Sequence, residues 1–157
     1  MNELKIEKLP AGAHVPFNLL LLADETVGAI EKYIYASDIY IVKRENEDIP
    51  VAVFVLQHLN SSEIELKNIA VAAHLQGKGT GSYLINEIKK IAVLAGFKIL
   101  WVGTPDVAVK EINFYQKNGF ELAGVKKEFF IINYPDPIFD DNATMLRHMA
   151  MLKYNLG

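Results

Sequence analysis

The segment whose residue types and spacing best suit chemistry is a loop with three glycines, Gln76 to Ser82, in this 157-residue sequence. It follows the apolar run Ile69 to Val71 and precedes an amphipathic stretch that predicts a helix. Glycines permit left-handed backbone conformations, so the N–H groups of such a loop can converge on one anion. The helix N-terminus adds unpaired N–H groups and partial positive charge, and Lys78 adds a full charge. The loop therefore predicts a phosphate or pyrophosphate site.

Two common phosphate loops do not fit this spacing. A P-loop needs a glycine, four further residues and then Gly-Lys-Ser/Thr, but Ala72 stands at the first position and Gly79 at the last. The dinucleotide fingerprint needs a third glycine where this chain has Ser82 or Leu84, depending on the starting glycine. That fingerprint also needs an acidic residue about 20 positions later, and residues 96–102 offer none.

A third reading fits the loop and a second motif together. The pattern Gln76-x-x-Gly79-x-Gly81, after a strand and at the start of a helix, resembles the coenzyme A signature of the GNAT acetyltransferase superfamily. Downstream, the segment from Phe114 to Phe120, which reads Phe-Tyr-Gln-Lys-Asn-Gly-Phe, is similar to the second hallmark of that superfamily. The resemblance extends over nearly the whole chain.

The resemblance implies an α/β fold in one domain, residues 1–157. We expect a central, mostly antiparallel mixed sheet, splayed between strands 4 and 5 and flanked by about four helices. It also implies that acetyl-coenzyme A binds as co-substrate, with its pyrophosphate on the loop and its pantetheine arm along the preceding strand. The cofactor-binding residues it implies are Ile69, Ala70, Val71, Gln76, Gly77, Lys78, Gly79, Thr80, Gly81, Ser82 and Tyr115.

The catalytic residues are also carried over from the resemblance. Acyl transfer to an amine needs a base for the amine proton, and Glu65 occupies the position of the family's base glutamate. Glu63 is the reserve because residues two apart on a strand share a face, and a water molecule stays open as a third route. Tyr115 is expected near the sulfur as the acid, and the Val71 N–H as the donor to the oxyanion. The sequence contains no cysteine, which favours direct attack in a ternary complex.

The leading function is therefore an N-acetyltransferase acting on a primary amine of a small molecule or peptide. The alternative is a non-catalytic acyl-coenzyme A sensor of the same fold, which would bind the cofactor without turnover. A nucleotide-binding regulator is disfavoured by the failed spacings above. The family builds its acceptor pocket from early helices and late loops, which predicts residues 17–36 and 129–141 here. The resemblance also admits a homodimer.

Composition and residue spacing argue against several other classes of protein. The formal net charge is −3 without a basic stripe, so we expect no nucleic-acid partner. The four histidines, His14, His58, His74 and His148, do not have metal-ligand spacing, so we expect no metal. The apolar runs are far shorter than the ~20 residues of a membrane span. Because residues 1–9 carry four charges, they do not read as a signal peptide, and we expect a cytoplasmic protein.

The predicted elements follow from periodicity and capping signals. Strands are predicted over residues 4–9, 39–43, 50–59, 63–71, 98–102, from 120 onwards, and 144–152. Helices are predicted over residues 16–23, 25–36 with Asp24 as the N-cap, from about Gly81 to the stop at Gly96, and 107–117.

Overall fold

A computed structural model describes residues 3–157 and defines seven strands and five α-helices among them. The strands are β1 (Leu4–Lys8), β2 (Asp38–Arg44), β3 (Ala52–His58), β4 (Glu63–Val71), β5 (Ile99–Pro105), β6 (Glu121–Lys126) and β7 (Met149–Asn155). The helices are α1 (Phe17–Leu20), α2 (Val27–Ile34), α3 (Thr80–Leu94), α4 (Val109–Lys117) and α5 (Phe129–Ile132). A short 3-10 turn, Ala73–Leu75, lies between β4 and α3.

The strands form one mixed sheet in the order β1-β2-β3-β4-β5-β7-β6. One neighbouring pair is parallel and the others are antiparallel. This confirms the predicted α/β class with a mostly antiparallel sheet. The fifth described helix, α5, was not predicted, because four residues are too few to show a helical period.

The chain divides into two compact units that alternate along the sequence. The first contains the chain up to His58 together with Leu66–Ile88. Its core is built from α1, α2 and one face each of β2, β3 and β4. Strand β3 is buried at five consecutive positions, Ala52 to Leu56, so its alternate residues Val53 and Val55 belong to this core. The members of this core are Leu19, Leu20, Ile30, Tyr33, Ile34, Ile39, Val53, Val55 and Ala70.

The second unit contains Leu59–Glu65 and Lys89–Gly157. Strand β7 lies between β5 and β6, with Leu152 opposite both Val102 and Leu122. A register shift between Leu122 and Gly124 places one extra residue, Ala123, in β6. All six residues of β6 are exposed, as expected at the edge of a sheet.

Most predicted elements differ from the observed ones by one to four residues at an end, and two of the differences have a clear cause. Helix α2 is capped by Thr26, whose hydroxyl accepts a hydrogen bond from the Ala29 N–H at 3.1 Å, whereas Asp24 was the predicted cap. The last strand is Met149–Asn155 rather than residues 144–152. The segment before it turns instead, because Asp140 and Thr144 bond each other's backbone and Ala143 adopts a left-handed conformation.

No helix within residues 3–157 is long and apolar enough to cross a membrane.

The observed cap predicts the effect of Thr26→Ala. The substitution removes the acceptor for the Ala29 N–H, and we expect a loss of about 1 kcal/mol in the free energy of unfolding. Thr26→Ser keeps the hydroxyl and should stay close to the parent in a urea titration. Equal stability of the alanine and serine variants would contradict the assignment of the cap.

Candidate active site

The glycine loop begins where β4 ends, and its first half is fixed by hydrogen bonds. The Ala72 N–H donates to the Val51 carbonyl at 2.8 Å, which holds the end of β4 beside β3. The side-chain amide of Gln76 reaches back and donates to the Val71 carbonyl at 2.8 Å. The Thr80 hydroxyl donates to the Leu75 carbonyl at 3.3 Å. Gln76 and Thr80, both predicted to bind cofactor, therefore also brace the turn between strand and helix.

The second half of the loop presents open backbone. Gly77 and Gly79 have φ values of +73° and +80°, and a Cβ added at either would have no protein atom within 4 Å. Helix α3 follows directly, and its first intrahelical bond runs from the Tyr83 N–H to the Gly79 carbonyl at 3.0 Å. The N–H groups of the first turn, which includes Gly81, have no acceptor within the helix. The loop thus has free space over its glycines and a helix N-terminus behind them, an arrangement that can bind an anion.

A polar cluster that the sequence analysis missed lies on the same strand. Asn68 is only 4% exposed, and its amide nitrogen donates to the Leu20 carbonyl at 3.1 Å and to the Tyr33 hydroxyl at 3.2 Å. The Tyr33 hydroxyl donates in turn to Asp24 at 3.0 Å. Burial raises the pKa of Tyr33 and the charge of Asp24 raises it further, so the phenol stays protonated. The cluster ties α1 and α2 to β4 and explains why Asp24 is not the helix cap.

A cavity of about 330 Å³ lies within the second unit. It is lined by Leu59, Glu63, Glu65, Trp101, Ala123, Gly124, Val125, Lys126 and Met151. Both glutamates of β4 line it, which confirms that they share a face. None of the residues predicted for an acceptor pocket, 17–36 and 129–141, lines this cavity. The alternating glutamates of β4 could be recognised in the sequence. Nothing in the sequence indicated that residues of β6 would also line this cavity.

The two glutamates differ in their surroundings. Glu63 accepts hydrogen bonds from the Asn60 amide and the Trp101 indole, each at 2.7 Å. These two bonds, with a smaller contribution from the charge of Lys153, hold the pKa of Glu63 below its ordinary value. Glu65 is 6% exposed, a degree of burial that is uncommon for a carboxylate. Glu63 is therefore held as a hydrogen-bonded anion, whereas Glu65 is the more enclosed of the pair.

Tyr115 lies in α4 and is not among the residues that line the cavity. Its ring packs edge-on against Phe114 and Phe120, with ring centres 5.2 and 5.6 Å away. Burial raises the pKa of Tyr115, and the charge of Glu111 raises it further. The phenol therefore stays protonated and can serve as a hydrogen-bond donor.

The structure requires glycine at position 119 of the same motif. Gly119 has a φ of +93°, and a Cβ added there would lie 2.8 Å from the Tyr154 ring. Any other residue would be strained and would clash with that ring. This glycine lets the Phe120 N–H return to the Tyr115 carbonyl at 3.0 Å, which brings the two aromatic rings together.

Comparison with known proteins agrees with these motifs. The family model described as an acetyltransferase (GNAT) domain matches residues 36–122. This chain belongs to the GNAT acetyltransferase family. It is 30% identical to the uncharacterized N-acetyltransferase YvbK of Bacillus subtilis, over 99% of both chains.

Solved structures of GNAT acetyltransferases resemble the chain over almost its full length. One from Elizabethkingia anophelis, solved with acetyl-CoA bound, superposes with a TM-score of 0.89 at 32% identity, covering 97% of each chain. The IAA acetyltransferase of Bacillus cereus superposes with a TM-score of 0.87 at 33% identity, covering 98% of this chain and 99% of that one. The protein is accordingly an acetyltransferase.

The hydrogen bond from Trp101 to Glu63 leads to a prediction about the pKa of Glu63. Trp101→Phe keeps an aromatic ring but removes the indole N–H, so the pKa of Glu63 should rise towards its ordinary value. Because the folded pKa is lowered, Glu63 adds stability above the ordinary carboxyl pKa, and this is lost as the pH falls through the folded pKa. The variant should therefore lose less stability on acidification. An NMR titration of the Glu63 carboxyl checks this, and an unchanged midpoint would contradict it.

Proposed function

We propose that this protein is an acetyl-coenzyme A-dependent N-acetyltransferase that acetylates a primary amine of a small molecule or peptide by direct attack in a ternary complex. The observation that carries the proposal is the strand, open glycine loop and helix N-terminus of residues 63–94, in a chain of the GNAT family. Binding of acetyl-CoA by a relative of 32% identity over 97% of the chain supports the choice of co-substrate.

The loop fits the phosphates of coenzyme A because the space above its two left-handed glycines is open. In this proposal the N–H groups of the loop and of the first turn of α3 bind the pyrophosphate, and Lys78 adds charge. These residues are Gln76, Gly77, Lys78, Gly79, Thr80, Gly81 and Ser82. The backbone of Ile69, Ala70 and Val71 pairs with the pantetheine arm. When bound, acetyl-coenzyme A supplies the acetyl group as a thioester.

Glu65 is the proposed base. A protonated amine has no lone pair for attack, so the base must take its proton directly or through a water. Glu63 is less suited, since the bonds from Asn60 and Trp101 lower the pKa of its carboxyl and stabilise the charged form. We propose instead that Glu63 orients Trp101, which lines the cavity.

Tyr115 is the proposed donor to the leaving sulfur. A thiol has a pKa of ~8.5, and burial raises the pKa of Tyr115 above its own ordinary value. Full proton transfer from the phenol would therefore be uphill. Tyr115 is better suited to stabilise the thiolate by a hydrogen bond while the sulfur takes its proton from solvent.

The protons and bonds balance in this scheme. The ammonium gives one proton to Glu65, the nitrogen forms a bond to the acetyl carbonyl carbon, and the carbon–sulfur bond breaks. The nitrogen then releases a second proton as the amide forms, and the thiolate takes up one. The sum is one amide, one thiol and one proton released to solvent.

Gly79→Val tests the binding loop. A side chain there would occupy the space over the loop, so we expect affinity for acetyl-coenzyme A to fall by more than tenfold in a thermal-shift or calorimetric titration. Gly12→Val is the matched control, because Gly12 has almost the same φ of +81° and equally open surroundings. Both variants carry a backbone strain of roughly 1–2 kcal/mol. Equal affinity in the two variants would overturn the assignment of the loop.

Glu65→Gln tests catalysis. Loss of a general base is expected to slow turnover by a factor of about 100 or more, with unchanged affinity for acetyl-coenzyme A. Glu63→Gln should cost much less and serves as the neighbouring control. Thiol release is measured against pH with a panel of primary amines. Tight binding of acetyl-coenzyme A without turnover by the parent protein would instead favour the acyl-coenzyme A sensor.

A further inference from the structure

The cavity of the second unit carries charge of both signs, one at each side. Glu63 and Glu65 lie on β4, and Lys126 lies at the end of β6. Apolar side chains, those of Leu59, Val125 and Met151, form the surface between them together with Trp101. The cavity thus has acidic residues on one side, a basic residue on the other and an apolar surface between them.

The positive charge is not neutralised by the protein. Among residues 3–157, the Lys126 ammonium has no ion-pair partner, and its one aromatic neighbour is the Phe129 ring, with its centre 5.9 Å away. Glu63, by contrast, is bonded by Asn60 and Trp101 and lies in the field of Lys153. Lys126 therefore offers its charge to whatever occupies the cavity.

The sheet separates the backbones that carry these charges. In the strand order, β5 and β7 separate β4 from β6, so the two backbones are three strand spacings apart, about 14 Å. Four consecutive residues of β6, 123–126, line the cavity, and the strand has an extra residue at Ala123. Gly124 leaves room among them, since a Cβ at this position would meet no atom within 4 Å.

We infer that the acceptor is an amine that also bears a carboxylate, with the amine at the glutamates, the carboxylate at Lys126 and an apolar body between. This rests on the proposed function and names its substrate class. A polyamine would bring a second ammonium beside Lys126, where like charges repel. An amine without an anion would leave Lys126 without a partner. A carboxylate several bonds from the amine satisfies both ends.

The test measures binding without depending on turnover. Trp101 is the sole tryptophan of the sequence and lines the cavity, so its fluorescence reports occupancy. We would titrate the protein, saturated with coenzyme A, with three pairs matched in chain length, in each of which an apolar chain separates the amine from the carboxylate: ε-aminocaproate and hexylamine, 7-aminoheptanoate and heptylamine, and 8-aminooctanoate and octylamine. The carboxylated member of at least one pair should bind roughly three- to tenfold more tightly, the range of a partly exposed ion pair.

The preference should depend on Lys126 and on salt. Lys126→Gln should bring the ratio of the two dissociation constants close to one, while Lys127→Gln, which removes a neighbouring exposed charge outside the cavity lining, should keep it. Raising the ionic strength should shrink the preference in the parent.

The outcomes separate the two proposals. If amines of both kinds bind and release thiol equally well, the proposed function stands and the carboxylate inference is wrong. If the preference persists in Lys126→Gln, the inference is likewise wrong. If acetyl-coenzyme A binds but no amine of the panel binds or is acetylated, the inference fails together with the proposed acceptor class.

Discussion

The carbonyl of Val71 needs a hydrogen-bond donor, because β4 ends there and the chain turns away from the sheet. The side chain of Gln76 supplies it and closes the turn. The two left-handed glycines and the start of α3 follow directly after this closed turn. The bond from Gln76 thus connects the strand end to the open loop and the helix N-terminus, and the proposed cofactor site is built on these three features.

Strand β4 carries four polar residues, and three of them, Glu63, Glu65 and Asn68, have different environments. Asn68 is held by α1 and α2, and Glu63 is held by the turn before its own strand and by β5. Burial of such groups costs free energy unless partners compensate. For Glu63 and for the amide nitrogen of Asn68, these hydrogen-bond partners compensate the cost. Glu65, which lies between Glu63 and Asn68 on the strand, is the residue that we propose as the catalytic base.

The sequence predicted features whose cause is local. Strand β4 was predicted with its observed bounds, and the helix after the loop was predicted within one residue of its start. Gly96 and Gly119 have the left-handed conformations expected at helix ends. The misses have non-local causes. Asp24 is a suitable cap by residue type, but its carboxylate accepts a hydrogen bond from Tyr33. Lys126 becomes part of a cavity only because β7 pairs with both β5 and β6 and so joins β6 to the sheet.

The two compact units alternate along the chain, and this has a consequence for synthesis and dissection. The first unit is complete only once Ile88 has been made, by which time the chain has already begun the second at Leu59. No single cut in the backbone can release either unit whole, since β4 and α3 each contribute to both. A backbone break between residues 59 and 88 would separate parts of both units at once. The same holds for a fusion inserted there or for expression of one half of the chain, so we expect the two units to fold or unfold together.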